Sequence, residues 1–496
     1  MTERSATFST RVPDGRRQPL ERRSRHAPAT PDETEEDKIG AKKWLFVLFI
    51  VCLLIPGSFF LGGARLTPYR ALLLAAFVPL CWQFIRGTAG RMTTVDTLIL
   101  LYVLSLAMSV LYHEGFGRID AVIIAAVEAI CGYLFGRVLV RGQLDYRTFF
   151  QCFFYGLLFM APFALVEMVT KLNLVSKITG MALMPFGQSE HPPRLGFHRA
   201  QVSFEHPILY GLFCSLGFAN AFYIFRDQIP KRIFWMGTCF FTTFSSLSSA
   251  PILAMLIQSI MMGWDRIVPK LKSKWMVLAG CGLSVFMVLE LITPNGAVDF
   301  LVSNLTLVPA TADYRLMTFE YALNSLWDNP VFGAGKGGDI DLPWWHTGSI
   351  DNFWLSTAVA YGIPTLLFLI AAILTHLGMV MWAKGLDDTV ADYRSGHFIA
   401  VAGLIFTLTT VHLWGAANVM VMAYLGAGAW IYVPRRENVP LRRQQPEPEK
   451  APEVREPSSP VRGGPPPASS PLPGPAAKTV RPRIRGATGR YGGGRH

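Results

Sequence analysis

Apolar residues in this chain come in long blocks, separated by short polar segments rich in Gly, Pro, Lys and Arg. The blocks are about 18 to 25 residues long, the length a helix needs to cross roughly 30 Å of hydrocarbon. They predict helices at about 44–62, 69–85, 95–112, 120–139, 148–170, 204–225, 233–247, 250–264, 275–293, 353–382, 396–412 and 416–433. "SSLSSAP" at 245–251 reads as a break, with Pro251 opening the next helix. The pattern describes an all-α polytopic membrane protein with about 12 transmembrane helices.

Charge orients that layout. With residue 43 on the inside, the inside loops hold Arg86 and Arg91; Arg137, Arg141 and Arg147; Arg226, Lys231 and Arg232; Arg266, Lys270, Lys272 and Lys274; and Lys384 and Arg394. Every inside loop is basic, as the positive-inside rule requires, so both termini are expected in the cytoplasm. Two outside loops stay long, about 171–203 and 294–352, and long structured loops usually carry function.

Composition agrees with the pattern: 51% of residues are hydrophobic and only 16% charged, where soluble domains carry roughly a quarter. The net charge of +12 lies mainly in the tails, +2 in residues 1–43 and +8 in residues 434–496. A basic nucleic-acid surface is therefore not expected. Residues 434–496, Pro- and Arg-rich and without apolar periodicity, read as a disordered cytoplasmic tail whose arginines meet anionic lipid headgroups. Residues 1–43 read as a second disordered tail, too long and polar for the n-region of a cleaved signal. The seven cysteines sit in or at the edge of apolar blocks without C-x-x-C spacing, so neither disulfides nor a zinc site are expected.

The second long loop predicts a helix of its own. From Ala312, the residues Leu316, Phe319, Ala322, Leu323 and Leu326 recur at helical spacing, and "DNP" stops the run before Pro330. It reads as a short interfacial helix carrying Arg315 and Glu320, with Trp344 and Trp345 as anchors at the membrane surface. The loop ends in "HTGSIDNFWL", which puts His346, Asp351 and Asn352 at the lip of a span.

These residues resemble a family. "YRLMTFEYALNSLWDNPVFGAG", followed by "DNFWLSTAVAYGIP", is similar to the signature of the O-antigen ligase and Wzy-type polysaccharide polymerase superfamily; "RLGFHRAQVSFEHPILYG" resembles its upstream arginine loop. The likeness covers roughly residues 190–375. It implies a C-type glycosyltransferase of the bacterial inner membrane, metal-independent and without cofactor, with its active site facing the periplasm. The implied donor is an oligosaccharide linked to undecaprenyl diphosphate, and the acceptor another lipid-linked unit (polymerase), lipid A core (ligase) or a protein hydroxyl. A chain-length regulator or other assembly protein is an implied partner. The chain departs from the pattern in having Asp351-Asn352 where His-Asn is usual, and "SLSSAP" where many members have S-R-G.

The chemistry asks for three things: a neutralised leaving diphosphate, a base for the acceptor hydroxyl, and a grip on the sugar. Arginine makes bidentate contacts to phosphate oxygens, so Arg194, Arg199 and Arg315 are the cationic candidates against a plain surface-charge reading. Asp351 is the first candidate base and His346 the second. Ser349, Asp351 and Asn352 could equally serve as a helix N-cap. His198, Glu205, His206 and Asn352 complete the candidate substrate surface. Glu128, midway along its span, reads as buried and paired; His376 and His412 read as ordinary. A transporter or flippase is the rival of another class, and it expects midplane ionisable groups in two related halves. No internal repeat is visible, and the polar residues gather in outside loops.

Overall fold

The computed structural model describes residues 33–61, 64–180, 191–269, 271, 273–294, 296–297, 300, 310–335 and 350–433, with side chains from residue 42 onwards apart from 59–65 and 310–316. Residues 1–32 and 434–496, residues 181–190, His346, Trp344, Trp345 and the Arg315 side chain lie outside the described residues; residues 33–43, expected as the end of a disordered tail, instead form the start of the first helix, Glu33–Leu54, which carries the apolar block back into the charged segment.

Helices dominate. They are α1 (Glu33–Leu54), α2 (Pro68–Ile85), α3 (Thr94–Glu114), α4 (Ile119–Ala126), α5 (Gly132–Leu139), α6 (Gln143–Thr170), α7 (Leu174–Thr179), α8 (Pro207–Ser215) and α9 (Gly217–Ile224). Then come α10 (Ile229–Ser245), α11 (Ser249–Ile267), α12 (Lys274–Ile292), α13 (Ala310–Asp328), α14 (Phe353–Tyr361), α15 (Ile363–Met381), α16 (Asp388–Thr407) and α17 (Gly415–Ala427). Among the described residues, six stretches are long and apolar enough to cross a membrane: 68–85, 94–139, 143–170, 207–224, 274–292 and 363–381. The outer ones are inside-out for a soluble protein, with Leu291 82% and Val78 71% exposed, as lipid contact requires, while 207–224 lies in the interior of the bundle. The chain is a helical membrane protein.

Several expected spans are interrupted. The first, expected at 44–62, stops at Leu54 because Pro56 cannot continue the hydrogen-bond ladder. A hairpin of β1 (Phe59–Leu61) and β2 (Ala64–Leu66) follows, a small exception to the all-α expectation. The span expected at 120–139 contains a π-helical turn, Val127–Cys131, between α4 and α5. The span expected at 353–382 is two helices that meet at Gly362. The predicted break at 245–251 is present, between α10 and α11. The loop helix expected from Ala312 up to the DNP stop is present as α13. Ala322 and Leu326 are buried against Leu355, Ala358 and Val359 of α14.

Small residues let the central helices approach closely. α5 and α17 pack with Gly136 against the Ala423–Ala427 backbone and Gly426 against Tyr133, where any side chain would overlap main chain. The basic loop residues gather at one end of the bundle. There Arg137 is buried and donates to Asp96 Oδ1 at 3.1 Å, while Asp96 closes a capping box with Thr93 at the start of α3. The opposite end holds the starts of α2, α8, α14 and α17 and the finishes of α3, α6, α10 and α16.

Candidate functional site

At that opposite end, residues 191–206 are laid over the bundle and pinned at both sides. Glu167, in the last turn of α6, accepts the Val202 N–H at 2.9 Å, the Gln201 N–H at 3.3 Å and the Asn173 amide at 2.9 Å. The His198 N–H donates to the Met168 carbonyl at 2.9 Å, and the Ala200 N–H to Ser245 at 3.0 Å. The α10–α11 break supplies the other side. Leu247 there has φ +45°, and its carbonyl accepts from Arg194 Nη1 at 3.0 Å. Arg199 donates to the Ser246 carbonyl at 3.4 Å and to Ser248 Oγ at 2.8 Å.

The electrostatics of this corner are lopsided. Arg199 is 9% exposed, its described hydrogen bonds go to neutral oxygens, and the charge acting on it is that of Arg194. Burial, then that like charge, lowers its pKa to about 10. Burial likewise pushes His191 down to about 4 and His206 to about 3, with the two guanidiniums adding to both shifts and His191 to that of His206. A buried cation with only neutral partners is costly, and a phosphate oxygen is a ligand that would offset the cost.

A row of rings runs from this corner to the lip of α14. His191 and His206 meet edge to face at 4.4 Å between centroids. His206 Nδ1 caps α8 by accepting the Ile208 N–H at 3.1 Å. Next come Trp414, 6.3 Å from His206, and His412, stacked on Trp414 at 5.4 Å. His412 Nδ1 then pairs with Ser356 Oγ of α14 at 2.7 Å. The start of α14 is held in turn by the Phe353 N–H, which donates to the Leu408 and Val411 carbonyls at 3.0 Å. Asn352 is the cap: its Oδ1 accepts the Leu355 N–H at 3.0 Å. Asp351, half-buried one residue earlier, does not serve as that cap.

Two further groups belong to this end. Glu205 lies beside the Gly415 backbone, close enough for its charge to act on Tyr69 and Arg70. Arg70 in turn pairs with Glu128 at 2.8 Å, and the Tyr69 hydroxyl donates to the same carboxylate oxygen at 3.3 Å. Glu128 sits on the π-helical turn, which re-aims side chains within a span.

The motif residues around 330–335 play a mechanical part. This loop fills the break in the 353–381 helix pair. The Ala334 N–H donates to the Val359 carbonyl at 2.6 Å, and the Ile363 N–H to Pro330 at 2.8 Å. His113 Nε2 pairs with the Gly333 carbonyl at 2.8 Å, Ser109 Oγ donates to the Phe332 carbonyl at 2.5 Å, and Tyr112 stacks on Phe332 at 4.4 Å. Gly362 has φ +90°, and a Cβ there would overlap the Val331 carbonyl.

No protein-family model matches the chain, and no curated protein does.

Geometry therefore has to carry the reading. Of the residues singled out from sequence, Arg194, Arg199, Glu205, His206, Asp351 and Asn352 share one end of the bundle; His198 is there through its backbone. Arg315 rides on α13, whose later turns pack on α14. His412, read as ordinary from the sequence, joins them, as do Trp414, His191 and Arg70, which were not singled out. Arg70 had a signal, an arginine at the end of a span expected outside, against the charge rule. His412 had none, since a histidine in a short turn is unremarkable until the fold sets it against Ser356. Among the described residues, no three His, Cys, Asp or Glu side chains converge as a metal site would.

Proposed function

We propose that this chain is a membrane glycosyltransferase acting on lipid-diphosphate-linked oligosaccharides at the outer face of the bacterial inner membrane, most simply as a polysaccharide polymerase. In this reading twelve crossings place both termini in the cytoplasm. The observation that carries the proposal is Arg199: buried, beside Arg194, and bonded to neutral oxygens where two polar loops converge on a membrane-protein end. Where the resembled family carries an arginine within the α10–α11 break, here two arginines reach the break from the neighbouring loop.

The step follows from the groups present. An acceptor hydroxyl oxygen attacks the anomeric carbon, the bond from that carbon to the diphosphate oxygen breaks, and the diphosphate leaves with its electron pair. The Arg194 and Arg199 guanidiniums, with Arg315 from α13, meet the charge that grows on it. The proton of the acceptor passes to the Asp351 carboxylate, which is not occupied as the helix cap. Glu205 and the His206–Trp414–His412 rings supply acceptors and an aromatic face for sugar.

One observation favours a transporter: the 353–381 crossing is interrupted at Gly362, as transporter helices often are. That break, however, is filled by residues 330–335 rather than by a solvated midplane site, so the enzyme reading is preferred.

The test is the full chain in nanodiscs, supplied with an undecaprenyl-diphosphate oligosaccharide and assayed for longer or transferred glycans. Arg199→Lys keeps the charge but loses the fork, and turnover is expected to fall about a hundredfold, the scale of losing one donor to developing charge. Asp351→Asn should fall by a similar or larger factor, while Asn352→Asp, which still caps, should not. Wild-type turnover in Arg199→Lys, or movement of the donor across the bilayer without a new glycosidic bond, ends the proposal.

A further inference from the structure

The basic end of the bundle, away from the site, contains a cavity of about 1920 Å³ between α1, α2, α5, α6, α15, α16 and the residues after α17. Its charged lining is one-sided: Lys42, Arg86, Arg137, Arg141 and Lys384 against Asp145 and Asp387. Both carboxylates are engaged. Asp145 accepts from Lys42 Nζ at 2.7 Å and from the Arg141 N–H at 3.0 Å, and Asp387 caps α16 through the Val390 N–H at 2.7 Å. Arg137 is committed to Asp96 and the Arg91 carbonyl. Arg86 and Lys384 are exposed and make no ion pair among the described residues; Arg86 lies over the Trp82 ring at 4.2 Å.

The rest of the wall is apolar and aromatic. Leu45, Leu374 and Met379 line it, with Trp382 and Trp430, residues suited to the headgroup level of a membrane. An excess of cations above an apolar wall fits an amphiphile with an anionic head, not a soluble anion.

We propose that this cavity holds the phosphate headgroup of an anionic phospholipid, with its acyl chains against Leu45 and Leu374. Arg86 and Lys384 meet the phosphate, with Trp382 and Trp430 in the wall at headgroup level. The inference does not depend on the catalytic reading, because it concerns the other end of the molecule.

The experiment takes the full chain in phosphatidylcholine nanodiscs, titrates in phosphatidylglycerol, and counts retained lipid by native mass spectrometry. Phosphatidylglycerol should be retained in preference to phosphatidylcholine. Arg86→Gln with Lys384→Gln should weaken that preference by about fivefold for each charge removed. Arg266→Gln, at the same end but outside the cavity, should leave it unchanged. Equal retention of the two lipids, or a preference that survives the double substitution, overturns the proposal, the latter by moving the preference to the tails. Displacement of phosphatidylglycerol by millimolar inorganic phosphate also overturns it and assigns the cavity to a soluble phosphate compound.

Discussion

Asn352 rather than Asp351 caps α14, and one residue of register separates a structural role from a chemical one. "SIDNFWL" offers three polar residues able to cap; the choice is made by the Phe353 N–H, held to the Leu408 and Val411 carbonyls of the α16–α17 turn. That contact spans more than fifty positions in sequence, so no local pattern could reveal it. The histidine pair is similarly decided by its surroundings, and it sets a pH dependence. His191 and His206 titrate near 4 and 3 in the fold but near 6.5 when exposed, so both are neutral in the folded protein. Below pH 6.5 the unfolded chain takes up protons that the folded one refuses. Stability from these sites is therefore complete above 6.5 and is lost as pH falls toward 4 and 3. Thermal midpoints measured between pH 7 and pH 4 should fall; His206→Asn, which keeps a capping acceptor, should flatten the slope. An unchanged slope would remove His206 from the cause.

At the scale of elements, two of the motifs that carry the family resemblance form a joint. "NPVFGAG" and "YGIP" are the two halves of one contact, the loop filling the break between α14 and α15 with main-chain bonds from Ala334 and Ile363. Gly362→Ala would put a methyl into the Val331 carbonyl at a φ that side chains avoid. A loss of at least about 1–3 kcal/mol is expected, read as a lower thermal midpoint with the glycan donor absent. Ser109→Ala removes one hydrogen bond to the same loop and should cost only about 1 kcal/mol. Equal stability of Gly362→Ala and wild type would mean that the loop is not seated in the break. The joint also explains why α13 packs on α14: the chain that leaves α13 at Asp328 enters the joint within two residues.

At the scale of the whole molecule, polar chemistry separates to two ends. One end gathers the basic loops and the cavity; the other gathers Arg194, Arg199, Glu205, His206 and the start of α14. The proposed orientation places the first in the cytoplasm. Single cysteines at exposed Leu195 and exposed Lys384, in a background free of the native cysteines, test it with a membrane-impermeant thiol reagent on spheroplasts. Residue 195 should label and residue 384 should not; the reverse pattern inverts the protein and removes the glycosyltransferase reading with it.

Hydropathy and charge alone determined that this is a helical membrane protein, roughly where its helices lie, that 245–251 breaks a span, and which polar loops stay long. Those are properties of segments, because crossing hydrocarbon demands some twenty apolar residues whatever the neighbours are. The interruptions at Pro56, at the Val127–Cys131 turn and at Gly362 were less legible, since an apolar block reads the same whether or not it is broken. Pairings were not legible at all. Glu167 holding the 191–206 loop, Arg70 meeting Glu128, His412 reaching Ser356 and the arginines seated on the α10–α11 break each join residues far apart in the chain. Only close packing of the folded helices brings such groups within hydrogen-bond distance, and that decided which polar residues cap and which brace.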